Sequence, residues 1–419
     1  MMKSVLILLL FTLTFTVRLS AQNQNELNGG SPYSIFGIGD LNYYTSTRTY
    51  SMGILGTALF GNYTNNLNPA ALTKLKFTNL NTNVIYGFLK STSSVSENNI
   101  SDGNVVGINL GIPFDQVRGW GMSIGFNPMS FVNYRIRLNG KVGSQSYTQT
   151  YSGDGGISRI SAAMCYNILR KVSIGVEYNF GFGEIRNLDY INFNNTNYTN
   201  TLISKETDFQ KSFFKGGIII EVGKILKSLS IRHLSLGFAY QQSISFESNQ
   251  DKIYTSSISI DTVKYLTGVS VIPAYYSFGI TNLFGKKYLV SGDIMLQDWS
   301  QFSQLGVTNN NFGNSYRAGL GIEIIPSPDN FSFWGTMTYR FGGFYEKSYY
   351  KVNGQDVTGF GVRAGVNIPI SRFNSFDFGI NYSVKGKTEF GLIKDQFLNL
   401  TLGVNFGELW FLRPSDEDK

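Results

Sequence analysis

The residues best equipped for chemistry are few and scattered. In 419 residues there is one histidine, His233, and one cysteine, Cys165. A Ser–His nucleophile needs a carboxylate or amide behind the imidazole, and His233 falls at a predicted turn with no such set on any strand. Metal sites need clusters of His and Cys, which this sequence lacks. Gly37-Ile-Gly39 lacks the strand–loop–helix setting that phosphate binding requires. The reading is a non-enzyme that uses no metal or cofactor. Cys165 has no partner for a disulfide and reads as a small apolar strand residue.

What remains is a set of charges spaced so that they fall on one face of predicted strands: Glu177, Asp293, Arg317, Glu323, Arg340, Arg363, Asp377 and Lys385. Two roles are open to Arg317, Arg340 and Arg363. They can receive a ligand carboxylate, or they can pair with acids on neighbouring strands. Pairing is the favoured reading, because opposite charges lie on adjacent strands.

The elements that would carry these charges are strands. Residues alternate in apolar character with period two in fourteen segments, near 76–90, 104–113, 119–137, 157–168, 171–186, 206–222, 233–247, 270–283, 287–299, 314–325, 331–343, 357–369, 374–386 and 396–411. In the fifth, Val172, Ile174, Val176, Tyr178 and Phe180 share one face, and Ser173, Gly175, Glu177, Asn179 and Gly181 the other. The thirteenth repeats this, with Phe376, Phe378, Ile380, Tyr382 and Val384 opposite Asp377, Gly379, Asn381, Ser383 and Lys385. A charge facing lipid at mid-membrane costs a few kcal/mol, so the charged face turns inward.

Short links with prolines at strand ends, such as 113–118 and 369–374, alternate with long polar links, such as 91–103, 139–156, 187–205 and 247–267. Short periplasmic turns and long extracellular loops are the rhythm of an outer-membrane barrel. The fold class is therefore all-β: a transmembrane antiparallel β-barrel of about fourteen strands with an N-terminal hatch or plug. Fifteen per cent aromatic residues and 46 glycines suit interface girdles and crowded interior positions. Trp299, Trp410 and Phe411 are expected in the girdle. Tyr33, Phe36, Tyr43, Tyr44, Tyr349 and Tyr350 are expected either in an apolar ligand pocket or in loop packing.

Residues 1–21 read as a secretory signal, with Lys3, the apolar run Val5 to Phe11 and Ser20-Ala21 before the cut. Residues 22–73 do not alternate and read as the hatch, 74–411 as the barrel and 412–419 as a short charged tail. Loss of Lys3 and Arg18 with the signal lowers the formal charge of +7. The remaining charges are dispersed, without the basic clusters of a nucleic-acid surface. Partners are expected to be a hydrophobic small molecule and outer-membrane lipids, with no nucleic acid.

Three stretches resemble the long-chain fatty-acid transporter (FadL-like) family of outer-membrane proteins. Ser51-Met-Gly-Ile-Leu-Gly-Thr-Ala58 followed by Asn65-Asn-Leu-Asn-Pro-Ala-Ala71 resembles that family's hatch. Asp293 through Asp298-Trp-Ser-Gln-Phe302 is similar to a strand ending in Trp-Ser-x-Phe, and Asn314-Ser-Tyr-Arg-Ala-Gly-Leu320 with Glu323 to the next strand. The resemblance implies a plugged monomeric barrel that captures a hydrophobic compound outside and releases it sideways through a kink in the third strand. Gly125, Phe126, Asn127 and Pro128 stand at the matching place, where Pro128 cannot donate to the ladder. Asn68, Pro69 and Ala70 would form the gate in the hatch.

The function expected is passive uptake of long-chain fatty acids or similar compounds across the bacterial outer membrane. The alternative is a non-transporting barrel subunit of an envelope secretion or outer-membrane protein assembly complex. An apolar tunnel reaching Pro128 favours the first; a charged or filled lumen favours the second.

Overall fold

In the computed structural model, residues 30–193, 198–226, 231–256, 260–327 and 332–410 are described. The expected signal, the start of the hatch, Phe411 and the charged tail lie outside them.

Fourteen long strands follow one another round a closed wall. They are Thr78–Thr92, Glu97–Asp115, a third in two pieces (Trp120–Pro128 and Ser130–Val142), Gln145–Ile168, Val172–Phe193 and Thr201–Ile220. The seventh is Ser235–Gln241 with Ile244–Ser256, and the eighth Ile260–Ile272 with Tyr275–Phe284. Tyr288–Asp298, Asn314–Ile324, Thr338–Val352, Gln355–Pro369, Ser375–Lys385 and Lys394–Glu408 complete the set. Neighbours pair antiparallel, and the last strand closes on the first from Thr78↔Glu408 to Thr92↔Lys394. Closure removes the sheet edges that lipid could not satisfy.

Period-two alternation sorts the side chains as the sequence implies. On the fifth strand Ile174, Val176 and Tyr178 are exposed outward, whereas Ser173, Glu177 and Asn179 are buried. The thirteenth and fourteenth strands do the same, with Phe378, Ile380, Tyr382, Leu398, Leu400 and Leu402 outside. An apolar outer belt around a polar interior is what the outer membrane demands. The protein is an outer-membrane barrel.

Three expectations need correction. The long polar links are largely not loops: pairing continues to Thr92↔Glu97, Val142↔Gln145, Ile191↔Thr201 and Thr255↔Ile260. Ladder hydrogen bonds need no apolar side chains, so the strands run on above the belt after their alternation has stopped. The eleventh strand starts at Thr338 and not near 331, because Trp334–Thr336 forms a 3₁₀ turn; the aromatics Phe333 and Trp334 imitate strand composition. Trp299 is fully buried, stacked on Tyr349 at 4.0 Å between ring centres. It packs inside the barrel mouth and is not a girdle residue. Trp410 is exposed.

Residues from Gly30 to the first strand lie within the wall. They include 3₁₀ turns at Pro32–Ile35 and Pro69–Lys74, a two-residue bridge Asp40–Leu41 and the short helix Thr47–Ser51 (α1). The wall makes room by omitting side chains. A Cβ on Gly342 would sit 1.9 Å from the Met52 carbonyl oxygen.

A cavity behind a broken seam in the barrel wall

Ion pairing dominates the centre of the barrel. Arg48 of α1 forks onto Glu323, with Nε at 2.8 Å from Oε2 and Nη2 at 2.7 Å from Oε1. Arg340 donates to the same Oε2 at 2.8 Å and also pairs with Asp377. Asp377 in turn accepts from Asn405 at 2.6 Å, and Tyr63 accepts from Arg340 at 3.0 Å. These buried charges are paired and bonded, the condition under which they persist. Nearby, Asp293 accepts from the backbone N–H groups of Leu55, at 2.9 Å, and Gly56, at 2.6 Å.

Asn68, Pro69 and Ala70 are brought together in the lower, short-turn half. Asn68 is fully buried; its Oδ1 caps the 3₁₀ turn at Ala70 N, 3.0 Å, and its Nδ2 donates to Thr57 O at 2.6 Å. A Cβ on Gly217 of the sixth strand would lie 1.9 Å from Asn68 Oδ1. Only glycine fits there.

Higher up, the wall is interrupted. The second and third strands pair from Asp115↔Trp120 to Ile108↔Phe126, and no further. Beyond that point residues 97–107 pair only with the first strand, and Ser130–Val142 pairs with the fourth. Pro128 ends the first piece of the third strand, since it has no N–H for the ladder. Phe126 points out, 40% exposed, while Asn127 is fully buried and exchanges amide hydrogen bonds with Asn109 at 2.9 and 3.1 Å. Gly125 lies over the same amide, where a Cβ would be 2.2 Å from Asn109 Oδ1. The N-terminal segment takes up part of the freed edge: Asp40 and Leu41 pair with Phe131 and Ser130, and Asn42 N donates to Met129 O at 2.8 Å. One side-chain bond, Asn133 Nδ2 to Asp102 Oδ2 at 3.0 Å, crosses the seam.

Behind the seam lies a cavity of about 340 Å³, within the range of small-molecule sites. Ile100, Asp102, Asn104 and Val106 of the second strand and Phe131 and Asn133 of the third all line it, so it reaches both sides of the break. Its interior walls are Tyr43, Tyr44, Tyr50, Phe344, Tyr349 and Tyr350, with Arg317, Arg363, Glu346 and Lys385 among them.

The three arginines differ here. Arg340 is absorbed by Glu323 and Asp377 and does not line the cavity. Arg317 lines it but pairs with Glu346 across the neighbouring strand. Arg363 lines it too, and among the described residues no carboxylate lies within ion-pair distance. It donates to Asn381 Oδ1 at 2.9 Å and to Tyr50 O at 3.2 Å, and stacks on Tyr50 at 3.9 Å and Phe344 at 4.3 Å. Lys385 pairs with Asp40 at 2.8 Å. Glu346 escaped the sequence reading because the eleventh strand was expected to end near 343, yet it shares the inward parity of Arg340 and Phe344. Asp40 and the second-strand edge carried no signal, since their roles arise only from long-range pairing.

One family comparison covers almost the entire chain: the BamG family matches residues 1–415. This chain belongs to the BamG family. Among curated proteins no match was found. Solved structures resemble this BamG-family barrel over most of its length. A Pseudomonas aeruginosa FadL homologue superposes with a TM-score of 0.60 at 12% identity, covering 86% of this chain and 98% of that one. The CymD monoaromatic hydrocarbon channel gives 0.58 at 14%, covering 90% and 100%, and the Ralstonia pickettii toluene transporter TbuX 0.58 at 14%, covering 87% and 99%. The likeness is one of fold, and at that level the FadL-like expectation holds for this BamG-family chain.

Proposed function

We propose that this barrel takes up a hydrophobic compound with an anionic head, of the long-chain fatty-acid kind, and passes it sideways between the second and third strands. The observation that carries this reading is the cavity in contact with both strands where they no longer pair with each other. An apolar tail gains about 0.8 kcal/mol per CH₂ on leaving water. An opening beside the outward Ile108 and Phe126 would let it keep that gain in the membrane. Arg363, alone of the three arginines without a carboxylate, would hold the head group, and the aromatic walls the first part of the tail. Asn68, Pro69 and Ala70 act as the closed gate of the lower half. The CymD monoaromatic hydrocarbon channel and the toluene transporter TbuX share this fold, whereas the BamG family name specifies no ligand.

A second reading has its own support. The lower lumen is filled by the plug and tied by the Arg48–Glu323–Arg340–Asp377 network, which suits a sealed subunit of an envelope assembly complex. Native mass spectrometry of the protein extracted gently from its own membrane separates the two. A single barrel with a co-purified anionic amphiphile, lost in Arg363→Gln, supports transport. An empty barrel in a stable assembly with other envelope proteins overturns it in favour of the second reading.

A further inference from the structure

The short-turn end of the barrel, which faces the periplasm, carries a basic groove of about 260 Å³ that the transport reading does not use. Lys74 of the plug, Val117, Asn167, Arg170 and Lys224 line it. Its cations outnumber its acids: Glu221 serves both Lys74, at 2.6 Å, and Lys224, at 2.5 Å. Among the described residues Arg170 has no carboxylate partner. The same end carries Lys76, Arg118, Lys171, Lys286, Lys287 and Arg372. Of the strand-end acids, Asp115 is engaged by the backbone N–H groups of Val117 and Arg118.

Asn167 closes the inner side of the groove and is 5% exposed. The turn above it is strained: Leu169 and Arg170 hold φ of 50° and 58°, the left-handed region that a two-residue hairpin normally gives to Asn-Gly. Yet the chain places there a leucine 84% exposed beside an arginine. Val117 and Leu226 are also exposed, at 58% and 62%. A local rule broken at an exposed position points to function.

We propose that this groove docks an acidic segment of a periplasmic partner protein that also offers an apolar side chain. Carboxylates of the segment meet Arg170 and Lys224, and the apolar side chain covers Leu169 and Val117. A protein is favoured over a lipid head group by position. Lys74 belongs to the plug, and Asn167 is bonded to the lumen-facing Ser173 at 3.1 Å, so the groove lies inside the rim and away from the bilayer.

The test uses the full barrel in phosphatidylcholine nanodiscs and a short fluorescent peptide of alternating Glu, Leu and Ser, followed by anisotropy. Salt-sensitive binding is expected, about tenfold weaker in Arg170→Glu/Lys224→Glu, which is 1.4 kcal/mol. It should be kept in Arg170→Lys/Lys224→Arg and absent for a Lys-for-Glu peptide. Heat-modifiable migration on gels confirms that each variant is a closed barrel. Equal binding of both peptides to the native barrel overturns the proposal whatever the variants do. So does a charge-reversal effect seen only as weaker association with phosphatidylglycerol vesicles, which would make the surface a lipid contact.

Discussion

At the scale of single residues, the three candidate arginines separate into two that pair with carboxylates, Arg317 and Arg340, and one that does not, Arg363. Glu323 serves Arg48 and Arg340 at once. Glu323→Gln removes the one carboxylate that pairs with Arg48 among the described residues and leaves a buried cation short of compensation. Breaking such a pair costs about 3–5 kcal/mol, so urea unfolding followed by gel migration should show a large loss of stability. Arg363→Gln should act chiefly on the ligand. No carboxylate is left unpaired, so the loss of stability should be smaller than for Glu323→Gln and come from the lost stacking on Tyr50 and Phe344, while co-purified anionic amphiphile falls. Gly217→Ala tests the fit of the plug. Its Cβ would collide with Asn68 Oδ1, so the plug should loosen and susceptibility to small antibiotics in whole cells should rise.

At the scale of elements, the sequence was most legible where lipid and lumen impose opposite chemistry on alternate residues. Ser173, Glu177 and Asn179 against Ile174, Val176 and Tyr178 could be sorted without a structure, and the inward charges with them. It was least legible where the membrane no longer constrains composition. The extended hairpins beyond Asn139 and Ser91 have no apolar face, so nothing in their composition distinguishes a strand from a loop. Trp299 shows the same limit: an aromatic at a strand end is expected in the girdle, but here the ring stacks on Tyr349. The break after Pro128 was visible as a ladder without a donor. That the second strand would run on to Glu97 paired with the first strand alone was not. Pro128→Val restores a donor at the break and should extend second–third strand pairing past Phe126, slowing hydrogen exchange at residues 104–107 and reducing fatty-acid uptake. Unchanged exchange would mean that the seam is held open by Asp40 and Leu41 and not by the proline.

At the scale of the whole molecule, the barrel is closed to water below and interrupted at one side above. In the transport reading the N-terminal segment, tied to the wall by the Arg48–Glu323 pair, acts as a plug that bars a route straight down the axis. The intact protein should show no stable single-channel conductance in planar bilayers, and deletion of 44–73 should create it. The cavity's only described contact with a wall break is the seam between the second and third strands, which is therefore the central claim.

That claim is tested most directly by stapling the seam. Asp102 and Asn133 already touch across it, and the native Cys165 is buried, so Asp102→Cys/Asn133→Cys can be bridged selectively with a short bis-maleimide. Uptake of a fluorescent long-chain fatty acid into cells or proteoliposomes is then measured before and after bridging. The sideways route predicts that uptake falls to background on bridging, with each single-cysteine variant unaffected. Undiminished uptake through the stapled barrel would contradict it.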